Sequence, residues 1–367
     1  MPRWPALIVI DSGYSQTALE RSAARVVGIC DVYKWRTASG APFVDAERLA
    51  SFAGDPMNHG SIVLEKLATL APEAPIVLVR AYGPDVKLIR TTWEEGRQAA
   101  PGWTEGYLWA VTLCKGLGLA SVANCSFGGF THAMDGTGWE SFQLGQAIGS
   151  GKPGHALVAA AGPGDGRATH AAWVTLPGQQ CRVEVLQKQT SSYNLWASGL
   201  ARQDWLLEVW HGDRLLRSFA GQQVPLNFWN QRQQLTFSIE GSGEILLKLA
   251  CPAISGHEES AGTRFDCWIE AGAGASFLNH VDPTLIAEPA VFPQVISVGL
   301  QSGSYAASQS WPDGKPDVLL PDGGVISFRL PEVTAAVATV LAGEPELDVD
   351  GVRARLGKYP RLPPPGF

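Results

Sequence analysis

The stretch Asn58-His59-Gly60-Ser61 sets a histidine against a glycine at the mouth of an amphipathic segment. A side chain beside Gly60, whose missing Cβ lets another chain come close, is placed to be reached rather than packed. Alone, His59 reads equally as a satisfied helix-start histidine, so its meaning depends on what the rest of the chain brings to it. A carboxylate is one candidate. The β-branched run from Ala6 to Ile10 ends in Asp11-Ser12-Gly13, which puts Asp11 at the carboxyl end of a strand. Two other apolar runs end in polar, glycine-rich turns: Ser126, Phe127, Gly128 and Gly129 after one, Gly162-Pro163-Gly164-Asp165-Gly166 after the other. Ligands of open α/β sheets bind at the carboxyl ends of the strands.

The elements that must position these residues follow from periodicity. Strands are expected over residues 6–10, 76–82, 120–125, 155–161, 294–299 and 315–318, and helices over 43–53, 61–71, 104–115, 139–149 and 331–342, with Thr104-Glu105 as the cap of the third. Strands alternating with helices at this spacing predict a parallel sheet covered on both faces. From about residue 173 the character changes to short alternating runs such as CRVEVLQ, DWLLEVWHGD, QLTFSIEGSG and EILLKLA, separated by Gly, Asn, Asp and Ser turns. That is the pattern of an antiparallel β-sandwich, and because the parallel pattern resumes after it, the sandwich is an insertion. The expected domains are 1–172, an α/β core; 173–276, the inserted all-β sandwich; and 277–367, the rest of the core. Trp196, Trp205, Trp210, Trp229 and Trp268 fall in the insert, where filling a second core is a commoner fate than binding sugar.

Composition narrows the function. A chain of 367 residues, 45% apolar and 17% charged, is long enough for one large core or two. With a net charge of -7 and no basic stripe it lacks the footprint that phosphate neutralisation requires, so nucleic acid is not an expected partner. No signal-peptide pattern opens the chain and no apolar run reads as a membrane span, which predicts a cytoplasmic protein without a membrane partner. Cys30, Cys114, Cys125, Cys181, Cys251 and Cys267 are far apart with no C-x-x-C pair, so free, mostly buried thiols are expected. The GPGDG turn lacks the lysine of a phosphate loop, and His257-Glu258-Glu259 lacks the second histidine of a metalloprotease helix. Neither metal catalysis nor a cofactor is expected.

Taken in order, IVIDSG, NHGSIV, SVANCSFGG, ALVAAAGPGDG, IAEPAVFPQVISVGL, KPDVLLP and LPEVTAAVATVLAGEPELDVDGVRARL resemble the landmarks of subtilisin-like serine proteases, everywhere except in the β-rich insert. The resemblance implies the three-layer subtilisin-like α/β fold with a parallel sheet. It also implies a jelly-roll-like domain where some members carry one. A serine hydroxyl needs an imidazole to take its proton, and the imidazole needs a carboxylate to fix its tautomer. The resemblance casts His59 as base and Asp11 as its orienting partner. It also makes residues Ser126, Phe127, Gly128 and Gly129 the segment along which a peptide substrate lies as an added strand.

Counting back from Pro331 through the family pattern, Gly-Thr-Ser followed by three residues and Pro, makes Ser327 the nucleophile. Val325 and Ile326 stand where the family has Gly and Thr, and Phe328 and Arg329 replace small residues. In a second alignment residues 321–327 form a strand and Ser327 is an ordinary strand serine. Pro163 stands after Gly162 where the family has the oxyanion-hole Asn, and it offers no amide donor of any kind. A backbone amide of Gly164 or Gly166 is the available substitute. Some relatives bind structural calcium, but no Asp-rich loop argues for it here. Two functions are expected from these features: a dedicated intracellular serine endopeptidase, or a catalytically impaired relative that binds a protein partner, with the insert as a contact surface.

Overall fold

The computed structural model describes residues 3–39, 46–85, 87–90, 92–94, 97–130, 133–162, 168–198, 205–227, 230–252, 262–269, 274–282, 286–301, 315–321 and 323–357. The first part of the chain forms β1 (Ala6–Asp11), α1 (Gln16–Ser22), β2 (Val26–Asp31), β3 (Arg36–Ser39), α2 (Ala46–Phe52), α3 (His59–Leu70), β4 (Ile76–Arg80), β5 (Thr92–Glu94), β6 (Arg97–Ala100), α4 (Trp103–Gly116), β7 (Ser121–Cys125), α5 (Trp139–Ala147) and β8 (His155–Ala160). The inserted part comprises β9 (His170–Thr175), β10 (Gln180–Gln187), β11 (Ser191–Ser198), β12 (Leu206–His211), β13 (Arg214–Ala220), β14 (Gln233–Ile239), β15 (Gly243–Ala250), β16 (Thr263–Ile269) and β17 (Ala275–Phe277). The chain then returns to the core as β18 (Ile296–Leu300), β19 (Val318–Leu320), α6 (Ile326–Gly343) and α7 (Val349–Leu356).

The core is an eight-stranded sheet in the order β19-β18-β8-β7-β1-β4-β2-β3, parallel except for β3. Every residue of β1, β7 and β8 is buried, as expected of strands covered on both faces. Alternate residues serve the two faces. Leu7, Val9, Ile76 and Leu78 pack against Leu64 and Leu67 of α3 and Leu330, Val333 and Val337 of α6. Ile8, Ile10, Val77 and Val79 pack against Tyr107, Ala110 and Val111 of α4 and Leu144 of α5. These are the two outer layers the periodicity called for.

Several boundaries differ from expectation. The start of the helix expected from residue 43 lies outside the described residues. The cap of α4 is Gly102 rather than Thr104: the Gly102 amide donates to the Glu105 carboxylate at 2.7 Å, and Thr104 is buried. The last long helix begins at Ile326, ahead of Pro331. With 18 residues α6 is, among the described residues, long and apolar enough to cross a bilayer, a property the sequence reading denied to any run. Here its apolar residues enter the core instead.

The inserted strands form a five-stranded sheet, β13-β12-β15-β10-β17, and a four-stranded sheet, β14-β11-β16-β9, all antiparallel. Their inner faces meet around Val183, Val185, Tyr193, Leu195, Leu247, Phe265 and Cys267. The four-stranded sheet is covered on its outer face too, because Trp196 and Trp268 pack there against Phe130, Ala133, Met134 and Ala287. Trp205 is likewise buried, and Trp210 is half-buried beneath the ammonium of Lys248. Packing is thus the role of these tryptophans; Trp229 lies outside the described residues. Of the six thiols, five are buried and none is in a disulfide.

Candidate active site

Asp11, at the carboxyl end of β1, and His59, the first residue of α3, meet across the top of the sheet with Oδ1 2.7 Å from Nδ1. An Nδ1–H that donates to the carboxylate leaves Nε2 free to accept a proton. Glycine at 60 is what allows the approach. A Cβ there would lie 2.2 Å from the Gly13 carbonyl oxygen and 2.9 Å from Asp11 Cβ. The turn after β1 and the first turn of α3 are therefore in direct backbone contact.

A second carboxylate, which the sequence reading did not single out, ties the same two segments together. Asp55 Oδ1 accepts from the Ser12 hydroxyl at 2.7 Å, and Oδ2 accepts from the Ser61 amide at 2.9 Å and the Ser61 hydroxyl at 2.6 Å. The Ser12 amide in turn donates to Asp11 Oδ1 at 2.7 Å. The signal lay in the small polar neighbours, Ser12 in DSG and Ser61 in HGS, each of which needs a partner once buried. Burial raises the Asp11 carboxyl above its ordinary range, against the pull of His59 and the Ser12 amide. Burial lowers the His59 imidazole, but the hydrogen bond and charge of Asp11, with the charge of Asp55, outweigh it and leave His59 above its ordinary value.

Ser327 is half-buried in the first turn of α6, so the alternative that made it a strand serine is incorrect. The reason the helix extends upstream of Pro331 is local. Proline has no N–H to give to the carbonyl four residues earlier, which here is that of Ser327, and the Ser126 hydroxyl donates to that carbonyl at 2.7 Å instead. Ser126 is held by Asn124 Nδ2 at 2.9 Å, and Asn124 Oδ1 by the Thr334 hydroxyl at 2.9 Å. From the other side Lys66 of α3 donates to the Phe328 carbonyl at 2.8 Å and to Glu332 at 2.7 Å. The helix bearing the serine is thus fastened to the strand end at Ser126 and to the helix bearing the histidine. The Phe328 ring packs on His59 with centroids 5.1 Å apart. Among the described residues the Ser327 hydroxyl makes no hydrogen bond to His59.

The other expected site residues are distributed as follows. Ser126 and Phe127 are buried, Phe127 edge-on to Tyr82 and Trp103. Gly128 is exposed, while Gly129 pairs by both backbone groups with Glu288. Ser126 therefore serves α6 through its side chain, and Gly129 is already paired within the chain. Beneath it Arg90 forms ion pairs with Glu140 and Glu288, at 3.0 and 2.9 Å. Gly162, two residues past the end of β8, has a φ of 126°, but Pro163, Gly164 and Gly166 lie outside the described residues. Among the described residues no group of three or more His, Cys, Asp or Glu side chains is arranged to hold a metal ion.

The fold is similar to that of the CspB protease of Clostridium perfringens, with a TM-score of 0.67 and 17% identity over 100% of this chain and 89% of that one. A lanthipeptide protease overlaps 43% of this chain and 39% of its own at 15% identity, with a TM-score of 0.25. The pre-peptidase C-terminal domain of a Bacillus anthracis collagenase overlaps 28% of this chain and 87% of its own at 7% identity, with a TM-score of 0.20. Both overlaps are too loose to add to the argument. No family model matches the chain, and no curated protein matches it. The first similarity establishes the architecture: a mixed α/β protein with a parallel sheet and inserted antiparallel sheets.

Proposed function

We propose that this chain is a serine endopeptidase of the subtilisin type, in which Asp11 orients His59, His59 takes the proton of Ser327, and Ser327 attacks the peptide carbonyl. The carbon–nitrogen bond then breaks, His59 passes the proton to the departing amine, and water hydrolyses the acyl-enzyme by the same relay. The observation that carries this reading is the 2.7 Å contact of Asp11 with His59 beside a helix start whose second residue is Ser327. The likeness of the fold to a protease supports it. The substrate class is a peptide or protein laid along Ser126, Phe127 and Gly128, and the setting proposed is the cytoplasm, where the enzyme processes a dedicated precursor.

A second reading, an impaired relative that binds a protein partner through its sandwich, is favoured by one feature. Phe328 lies against His59, and the Ser327 hydroxyl is not engaged by it among the described residues. Labelling with a fluorophosphonate, which reacts only with activated serines, separates the two. A single adduct on Ser327 that disappears in Ser327→Ala and in His59→Ala is the expected result. Folded protein that takes no label under conditions that label an active serine protease establishes the second reading.

A further inference from the structure

On the peptidase reading above, we infer that Lys66 is a positioning residue of the site, fixing the turn that carries Ser327 at a set distance from His59. Lys66 lies seven residues beyond His59 in α3. At about 3.6 residues per turn that is two turns, so both side chains leave the same face of the helix. Phe328 meets that face at two points: its ring packs on His59 with centroids 5.1 Å apart, and its carbonyl accepts from the Lys66 ammonium at 2.8 Å.

The turn has little of its own to hold it. No side chain caps the start of α6, because Val325 in the capping position has no group that could accept a bond. Pro331 removes the amide that the Ser327 carbonyl would otherwise take. Upstream, Gly323 and Gly324 adopt φ values of 130° and 80°, and a Cβ on either would meet nothing within 4 Å. A helix end of this kind opens at small cost unless other elements hold it. Here two successive carbonyls are held from outside, that of Ser327 by the Ser126 hydroxyl at 2.7 Å and that of Phe328 by Lys66. The first anchor ties the turn to the sheet; the second ties it to the helix that carries the base.

Stability alone does not call for an ammonium at this place. The first turn of a helix is the positive end of its macrodipole, which disfavours a nearby cation. Glu332, which Lys66 meets at 2.7 Å, is already held by Arg329 Nε at 3.0 and 3.1 Å. Removing the ammonium therefore leaves that carboxylate paired, and what is lost is the tie between α3 and the Phe328 carbonyl.

The test uses the full chain with Lys66→Met, which keeps an apolar stem and removes the donors, and with Lys66→Arg, which restores donors. Fluorophosphonate labelling of Ser327 is carried to saturation, so that the limiting rate is read apart from the half-saturating concentration. Since a misplacement of an ångström costs about 10²-fold, the limiting rate in Lys66→Met is expected to fall by about that factor at an unchanged half-saturating concentration, and most of it to return in Lys66→Arg. Hydrogen exchange over residues 326–332 gives a reading that needs no reagent: it should quicken in Lys66→Met and slow again in Lys66→Arg. A limiting rate that stays high in folded Lys66→Met, a loss that Lys66→Arg does not reverse, or exchange that Lys66→Met leaves unchanged overturns the inference while the peptidase reading stands. If the unmodified chain takes no label, the peptidase reading fails and takes the positioning role with it.

Discussion

Arg232, at the edge of the sandwich, holds Asp135 of the core at 2.9 Å and Asp266 of its own domain at 2.8 Å, with its guanidinium over the ring of Trp196. All three side chains are largely buried. Removing one partner of a buried ion pair strands the other, at a cost of about 3 to 5 kcal/mol. Arg232→Met is therefore expected to lower the unfolding free energy read from urea titration by that order, and Asp135→Asn in the same chain to recover part of the loss. Asp266 recovers less by itself, since Arg264 at 2.9 Å still faces it. A change below about 1 kcal/mol in Arg232→Met would show that this ion pair contributes little to joining the two domains.

Gly60→Ala tests the close approach of β1 and α3. The new methyl, 2.2 Å from the Gly13 oxygen, has backbone rather than a flexible side chain in its way. The turn carrying Asp11 must move, and an ångström of displacement is enough to cost about 10²-fold. Fluorophosphonate labelling of Ser327 should fall by that factor or more in protein whose circular dichroism is unchanged. Undiminished labelling would mean that the Asp11–His59 contact tolerates a looser fit.

On the proposed mechanism the basicity of His59 sets the pH profile. As a general base it must be neutral, so labelling rises with pH through its titration. Because Asp11 and Asp55 raise that titration above the ordinary value near 6.5, the midpoint is expected above that value. Asp55→Asn removes a charge but keeps a hydrogen-bonding side chain, and should move the midpoint down. On the same mechanism Asp11→Asn should slow labelling by about 10⁴, the loss typical of a triad without its carboxylate. A midpoint that Asp55→Asn leaves in place would assign Asp55 to structure alone.

His155, at the start of β8, supplies a stability test away from the site. It is buried with Nδ1 2.8 Å from the Ser121 hydroxyl, and burial, aided by the charge of Lys115, lowers its pKa to about 4. The unfolded chain, with an ordinary histidine near 6.5, binds a proton that the folded one refuses in the window between. Stability should thus decline as pH falls from about 6.5 toward 4. The drop in urea midpoint from pH 7 to pH 5 should shrink in His155→Asn, and an equal drop would remove His155 from the account.

The meeting of Asp11 and His59 was legible because each sits at a junction that the sequence marks twice, by a change of periodicity and by a glycine one or two residues further on. The sandwich was legible in β10, whose residues alternate between buried and exposed. It was less so in β11, where the core covers the outer face and nearly every residue is buried. The environment of Ser327 was not legible. Pro331 reads as a helix start, and nothing nearby in sequence reveals that a hydroxyl from Ser126 takes over the bond proline cannot make. Asp55 escaped for the same reason, since its partners come from two separate segments.

The insertion also dictates an order of assembly. β8 must pair with β18, Val158 beside Ile296, yet every residue of the sandwich lies between them in the chain. Until those residues have been made, β8 is an open edge of the sheet, the kind of exposed strand that invites wrong partners. A sandwich built of neighbouring antiparallel strands can form in that interval, and its tryptophans then offer Phe130 and Met134 a surface before the sheet is finished. Ser327 follows β18 and β19 in the chain, so it can join Asp11 and His59 only after those strands have been made. A free fragment ending at residue 295 should accordingly hold a folded sandwich beside an unfinished sheet.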